Sequence, residues 1–137
     1  MSEPSRAVIV VSAVVIRDHG GRLLVVRKHG TTRFMNPGGK PEPGESARQA
    51  AVREVREELG LDIAADELEA LGHWRLPAAN EPGHDVDATV FMLTRRLSQA
   101  PEPLAELAEV KWLDPLQSGD PDGLAPLLRG PVLSALA

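Results

Sequence analysis

The feature that most constrains the fold is a segment, residues 29–45, that contains four glycines and three prolines. Such a density of Gly and Pro is incompatible with a continuous helix or strand, so we predict a loop. A run rich in Leu and Val, residues 22–28, comes directly before the loop, and a run of strong helix formers, residues 46–59, follows it. The loop therefore connects a buried strand to a helix.

The predicted helix carries signals at both of its ends. Ser46, with Gln49 three residues later, forms a capping-box pattern, and Gly60 supplies a residue suited to a left-handed helix end. Residues 47–59 contain neither Gly nor Pro. We predict one helix over residues 46–59.

Other apolar segments predict the strands of the fold. The β-branched run at residues 7–16 is separated from residues 22–28 by a turn cluster, so we predict that these two segments form a β-hairpin. Further strands are predicted at residues 68–76, 85–93 and 109–113, and a last helix begins at Asp120-Pro121 and is interrupted at Gly130-Pro131. This order predicts an α/β (α+β) fold, with a mixed β-sheet and helices packed on its faces.

Composition narrows the classes of protein. The length of 137 residues suits a single domain over residues 1–137. A net charge of −5 and an aromatic content of 3% argue against a protein that grips nucleic acid. The sequence has no Cys, which excludes disulfides and Cys-containing zinc sites, and the apolar run at residues 7–16 is too short to span a bilayer. We expect a soluble, cytoplasmic protein that binds neither nucleic acid nor membrane.

Three carboxylates share one face of the predicted helix. On a helical wheel Glu58 lies about 40° from Glu54, and Glu57 lies about 60° from it on the other side. Like charges at this spacing destabilise a helix slightly. Two interpretations are open: a solvated charged face balanced by Arg53 and Arg56, or a cluster neutralised by a divalent cation such as Mg²⁺, which prefers oxygen ligands.

The pattern around these carboxylates favours the second interpretation. Gly39 is followed after five residues by Glu45, and after seven more by the run Arg53-Glu54-Val55-Arg56-Glu57-Glu58-Leu59-Gly60-Leu61. Residues 39–61 thereby resemble the Nudix box at every fixed position, and the flanking strands fit the order found in MutT-like Nudix hydrolases.

The resemblance implies a Nudix fold, in which a mixed β-sheet is sandwiched between helices, and a metal-dependent pyrophosphohydrolase. It implies that Mg²⁺, or Mn²⁺ as a substitute, is bound by Glu57 and Glu58 together with Glu54 and a carbonyl of Gly38 or its neighbour. It also implies attack of a metal-polarised water on one phosphorus of a diphosphate linkage. The expected catalytic residues are Glu54, Glu57, Arg53 and Glu106.

The residues around the box add support from their own chemistry. The Gly38-Gly39 pair lets the backbone approach a ligand closely, which makes Gly39 a candidate for substrate binding. Glu45 is placed to form a bidentate pair with Arg53 and so to fix the loop to the helix. Arg53 is then a residue that orients the site.

Four charged residues outside this pattern are further candidates. Lys40 and Arg27 are candidates for contacts with the phosphates or the base of a substrate. The segment before Trp112 resembles the place where the family often supplies a general base, and it contains Glu106 and Glu109. The sequence does not decide whether Glu106, Glu109 or a carboxylate of the box takes the proton.

The substrate is the least constrained prediction. Lys40 after the glycine pair, in a short chain, resembles the branch of the family that cleaves nucleoside triphosphates, so we predict that a nucleoside triphosphate, or a modified one, is split into monophosphate and pyrophosphate. Members of the family that recognise an oxidised guanine use an Asn on the C-terminal helix, whereas no Asn follows Asn80 in this sequence. The resemblance therefore speaks against that specificity. Pro77 lies 16 residues after Leu61, where the ADP-ribose branch of the family tends to carry a Pro. The resemblance thus gives ADP-ribose or another nucleoside-diphosphate sugar as the alternative, and a module that binds a nucleotide without cleaving it is the second alternative. We expect a small-molecule nucleotide as the partner, and a monomer or homodimer.

Overall fold

The computed structural model describes residues 7–78, 81–116 and 123–136. Its main helix, α1, spans Ala47–Leu59, and two short helical elements close the chain, a π-helical turn at Leu128–Val132 and α2 at Leu133–Leu136. A 3₁₀ turn lies at Ala65–Glu67. The strands are β1 Ala7–Val15, β2 Leu23–Lys28, β3 Gly38–Gly39, β4 Leu68–Pro77, β5 His84–Leu93 and β6 Leu107–Leu113.

The strands form two sheets. Four of them lie in the order β3-β1-β5-β4, in which β1 and β5 are parallel and the other pairs are antiparallel. The other two, β2 and β6, form a separate antiparallel pair. The predicted α+β class with a mixed sheet is therefore confirmed.

The predicted hairpin between the first two strands is wrong beyond its turn. The Asp18 carboxylate accepts the N–H groups of Gly20 and Arg22 and closes the turn, and Leu23 bridges to Arg17. From there β1 and β2 enter different sheets, because β5 and the short β3 occupy the edges of β1. Sequence alternation cannot identify such a distant partner.

The core has two parts, one on each side of β1. Val14 and Ile16 belong to a cluster that includes Val55 and Leu59 of α1. Ala13 and Val15, which point the other way because side chains alternate along a strand, pack with the helical C-terminal segment. Only the second half of β1, from Ser12 to Val15, is buried on both faces, whereas Val8 and Val10 in its first half are exposed.

The C-terminal helix differs from its prediction. Its predicted start at Asp120-Pro121 lies outside the described residues. The predicted interruption at Gly130-Pro131 is a π-helical turn, Leu128–Val132, that leads directly into α2, so the helical path continues. A wider turn accommodates a proline that has no N–H to donate. In the described ranges, no helix combines the length and the apolar character that crossing a membrane demands.

Candidate active site

The site is built around the glycine strand β3. The N–H of Val14 donates to the carbonyl of Pro37 at 2.8 Å, and Gly38 and Gly39 then pair with Ala13 and Ser12. Gly38 has a φ of +154°, and a Cβ at this residue would lie 2.0 Å from the carbonyl oxygen of Ser12. Only glycine fits there. Part of the segment predicted to be an irregular loop is thus a strand, because two glycines without side chains can lie directly against β1.

The N-terminus of α1 follows from the predicted capping box. Ser46 accepts the N–H of Gln49, and the Gln49 side chain accepts the N–H of Ser46, while Gly60 ends the helix in the left-handed conformation. Ser12 of β1 donates its hydroxyl to the carbonyl of Ala47 at 2.7 Å. The helix is thereby fixed against the strand that also holds the glycines.

Arg53 joins the loop to the acidic face of α1. Its Nε and Nη2 donate to the two carboxylate oxygens of Glu45, both at 2.8 Å, which is the bidentate pair that the sequence predicts. Nη2 also donates to the carbonyl of Lys40 at 3.0 Å, and Nη1 donates to Glu54 at 2.9 Å and to Glu57 at 3.2 Å. The hydrogen bonds from Arg53 hold the pKa of Glu45 down at about 2, and those to Glu45 raise the pKa of Arg53.

Glu58 is the most unusual carboxylate of the site. It is only 2% exposed, and its Oε1 accepts the Gly38 N–H at 2.9 Å. Its Oε2 is buried and has no hydrogen-bond partner among the residues that the structure describes. Burial raises the pKa of Glu58 to about 7. The hydrogen bond from the Gly38 N–H lowers this pKa, and the charge of Glu54 also raises it. A solvated charged face, the first of the two interpretations, therefore does not describe Glu58.

Glu54 faces the other glycine of β3. A Cβ at Gly39 would lie 2.4 Å from the carboxyl carbon of Glu54, so the missing side chain makes the room that this carboxylate occupies. Glu57, on the outer side of α1, has a side chain that is 52% exposed. The helix thus presents its three carboxylates at three depths: Glu58 buried, Glu54 against the glycine strand, and Glu57 half in solvent.

A cavity of about 400 Å³ opens beside the glycine strand, within the size range of small-molecule sites. Its charged lining comprises Lys28, Lys40, Glu54, Glu81 and Glu106. Its largely aliphatic walls come from β1, β4, β5 and the C-terminal segment, and include Ile9, Val11, Leu76, Val86 and Leu127. The cavity therefore combines a charged region next to Glu54 with apolar walls.

The structure separates the candidates outside the box. Glu106 lines the cavity and lies 3.6 Å from Lys28, whereas Glu109 lies opposite Arg27 in the β2–β6 pair and contacts it at 3.3 Å. Arg27, which also donates to the carbonyl of Thr31, does not line the cavity. Its predicted contact with substrate gains no support, because adjacent strand residues point to opposite sides and Lys28 takes the side of the cavity.

Lys28 and Asn36 are among the cavity residues that the sequence analysis did not identify. Lys28 could have been found from strand alternation, since it follows Arg27. Asn36 is 5% exposed, and within residues 7–78, 81–116 and 123–136 neither its Oδ1 nor its Nδ2 has a hydrogen-bond partner. Its only sequence signal is a polar residue immediately before the Pro-Gly-Gly run.

The donor chemistry of the site suits a hard divalent cation. In the part of the chain that the structure describes, no group of three His, Asp or Glu side chains is already gathered as a metal site. The Nη1 of Arg53 donates hydrogen bonds to Glu54 and Glu57, and the Gly38 N–H donates to one oxygen of Glu58. The buried Oε2 of Glu58 lacks a partner, and an oxygen-preferring cation would satisfy it.

Comparison with known proteins adds independent findings. A family model described as NUDIX domain matches residues 7–133. A putative 8-oxo-dGTP diphosphatase of Bacillus subtilis (strain 168) is 30% identical over 102 residues, which are 74% of this chain and 64% of that protein. A CTP pyrophosphohydrolase of Escherichia coli (strain K12) is 43% identical over 67 residues, or 44% of this chain and 47% of that protein. This chain therefore spans less than two thirds of the length of either relative.

A solved structure gives the same fold over nearly the whole chain. The solution structure of the E. coli ORF135 protein matches with a TM-score of 0.71 and 26% identity, covering 98% of this chain and 93% of that chain.

Proposed function

Because this chain belongs to the Nudix family, we propose that it is a divalent-metal-dependent pyrophosphohydrolase of nucleoside triphosphates. The observation that carries the proposal is the arrangement of Glu54 and Glu58 of α1 against Gly39 and Gly38 beside a cavity that also exposes Lys28 and Lys40. The cleaved bond lies between the α and β phosphates, and the products are a nucleoside monophosphate and pyrophosphate.

Glu54, Glu57 and Glu58, with a carbonyl of Gly38, are the residues that would hold Mg²⁺, for which Mn²⁺ can substitute. When bound, the cation lowers the pKa of a coordinated water and shields the charge of the phosphates. Arg53 keeps the loop carbonyl of Lys40 and two of the carboxylates in fixed positions. Its role is to orient the site.

Lys28 and Lys40 supply positive charge where the chain as a whole is acidic, with a net charge of −5. Both line the cavity, so they are the candidates for contacts with a bound polyphosphate. Glu106 lines the same cavity, and we propose it as the residue that accepts the proton of the attacking water. Glu109 is engaged by Arg27 and is the less suitable candidate.

The names of the two relatives support a nucleoside triphosphate as the substrate, since one is a putative 8-oxo-dGTP diphosphatase and the other a CTP pyrophosphohydrolase. ADP-ribose is the second candidate, because Pro77, the residue that pointed to it, lines the cavity.

The test is product analysis after incubation with Mg²⁺ and a panel of nucleotides. We expect pyrophosphate and a nucleoside monophosphate from at least one triphosphate, and loss of this activity after chelation. ADP-ribose would yield AMP and ribose 5-phosphate without pyrophosphate. A higher kcat/KM for ADP-ribose than for every triphosphate would refute the first choice, and binding without any product would identify a non-hydrolysing module.

A further inference from the structure

Asn36 is a buried amide that lines the cavity, and its side chain has no hydrogen-bond partner in the described part of the chain. The residue is 5% exposed, and among the described residues neither its donor Nδ2 nor its acceptor Oδ1 has a hydrogen-bond partner. Buried amides in proteins are nearly always paired, because an unpaired one loses its bonds to water without replacement. An unpaired amide in a ligand-sized cavity is explained if the ligand supplies the missing partners.

The backbone around Asn36 is held on both sides. Met35 exchanges two hydrogen bonds of 2.8 Å with Val26 of β2, and Pro37 accepts the Val14 N–H of β1 at 2.8 Å. The N–H of Phe34, two residues before Asn36, donates to the carbonyl of Gly123 at 2.8 Å. Asn36 is thus fixed between the two sheets, the kind of rigid placement that a specificity residue requires.

The apolar walls of the cavity leave few polar groups that could distinguish one nucleobase from another. Among the described residues no aromatic side chain lines the cavity, so a nucleobase would lie between aliphatic walls such as Val11 and Leu127 without a stacking partner. Apolar walls of this kind distinguish bases poorly. The discrimination would then depend on a polar contact with the edge of the base.

We propose that Asn36 recognises the nucleobase through an edge that presents a hydrogen-bond donor next to an acceptor. Its Oδ1 would accept from the base and its Nδ2 would donate to it, as an amide does when it pairs with the amino group and ring nitrogen of adenine. This inference rests on the proposed function, because it takes the cavity to hold the base of a nucleotide. It assigns base choice to a residue outside the acidic helix.

The test compares three variants on CTP, ATP, GTP and UTP, with ribose 5-triphosphate as a base-free control. Asn36→Leu removes both polar groups at similar size, and Asn36→Asp replaces the donor by a second acceptor. Glu81→Gln, at an exposed cavity residue, is the matched control. Hydrolysis is followed as kcat/KM, and binding is measured separately with the α,β-methylene analogues of the four nucleotides.

We expect Asn36→Leu to lower kcat/KM for the preferred nucleotide by about 5- to 150-fold, the range for loss of one bidentate base contact, and to leave ribose 5-triphosphate unaffected. Asn36→Asp should shift the preference towards GTP, whose N1–H and N2–H groups form an edge of two donors. Glu81→Gln should keep the wild-type order of the four bases.

Two results would overturn the inference: an equal loss with ribose 5-triphosphate, or an unchanged order of bases in both Asn36 variants. Should wild-type protein cleave no triphosphate, the proposed function fails, and the methylene analogues still decide the role of Asn36 by their base-dependent binding. If Asn36→Leu does not fold, as judged by circular dichroism, the GTP shift in Asn36→Asp decides the matter.

Discussion

Replacing Glu58 by Gln should make the metal-free protein more stable at neutral and alkaline pH. The carboxyl of Glu58 is buried, with one oxygen bonded to the Gly38 N–H and the other without a partner. Burial raises its pKa from 4.5 to about 7 in the folded protein. Gln keeps the shape and the acceptor for Gly38 but carries no charge.

The sign and size of the effect follow from proton linkage. Between pH 4.5 and about 7 folded Glu58 retains a proton that the unfolded chain releases, so raising the pH through this window destabilises the wild type. One pKa unit corresponds to about 1.4 kcal/mol, which gives a loss of about 3 kcal/mol by pH 8. The Gln variant lacks this loss, so its advantage over the wild type should grow with pH and level off above about pH 8.

The assay is urea unfolding in the presence of a chelator at pH 4.5, 6, 7 and 8. The informative quantity is the change with pH in the stability difference between variant and wild type, because the new amide donor adds an offset that does not depend on pH. Glu57→Gln is the matched control, since Glu57 lies on the same helix with a side chain that is 52% exposed. Its difference from the wild type should change little over this range.

Adding Mg²⁺ at pH 8 should remove most of the advantage, because a cation bound at Glu58 stabilises the folded wild type and not the Gln variant. A stability difference that stays constant from pH 4.5 to 8 would show that the Glu58 charge is not buried as described. A Glu58→Gln variant that gains as much from Mg²⁺ as the wild type would show that Glu58 is not a metal ligand.

Three further predictions concern catalysis. Arg53→Lys keeps the charge but loses the bidentate pair with Glu45, so we expect kcat to fall by about 10-fold or more with little change in KM. Steady-state kinetics measure both constants, and a rise in KM alone would indicate that Arg53 binds the substrate. Gly39→Ala should displace the Glu54 carboxylate, whose carbon would lie 2.4 Å from the new Cβ. We expect kcat to fall by about 10-fold or more, with only a small change in the Tm of thermal unfolding. An unaltered kcat would contradict this prediction. Glu106→Gln should lower kcat by about 100-fold or more, whereas Glu109→Gln should leave kcat within about threefold of the wild type. A larger loss of kcat in Glu109→Gln than in Glu106→Gln would indicate that Glu109 is the general base.

The sequence predicted most of what is local. The helix with its Ser46 cap and Gly60 end, and the Arg53–Glu45 pair that spans eight residues, are confirmed because short-range spacing determines them. The hairpin prediction failed because the true partner of β1 is β5, which lies far along the chain.

Part of the site depends on contacts between segments that are distant in the sequence, and the pattern of residues along the chain does not reveal such contacts. The burial of Glu58 depends on how α1 sits on the glycine strand, and the isolation of Asn36 depends on two sheets meeting around one residue. A helical wheel places Glu58 among the acidic residues, but only the packed structure distinguishes it from half-exposed Glu57. The roles of the carboxylates in catalysis remain predictions to be tested by the variants above.

The parallel pairing of β1 with β5 has a consequence for the order in which a newly made chain acquires its site. Ala7 pairs with His84, and every later pair in the register has the same separation of 77 residues. Closing so long a loop is slow compared with forming α1 or the neighbouring β4–β5 pair. The glycine strand β3 pairs with β1, so β3 joins the four-stranded sheet only when β1 does. During synthesis on the ribosome, β1, the glycine strand and α1 all emerge before β5. These parts of the site would therefore reach their final arrangement only after β5 had left the exit tunnel.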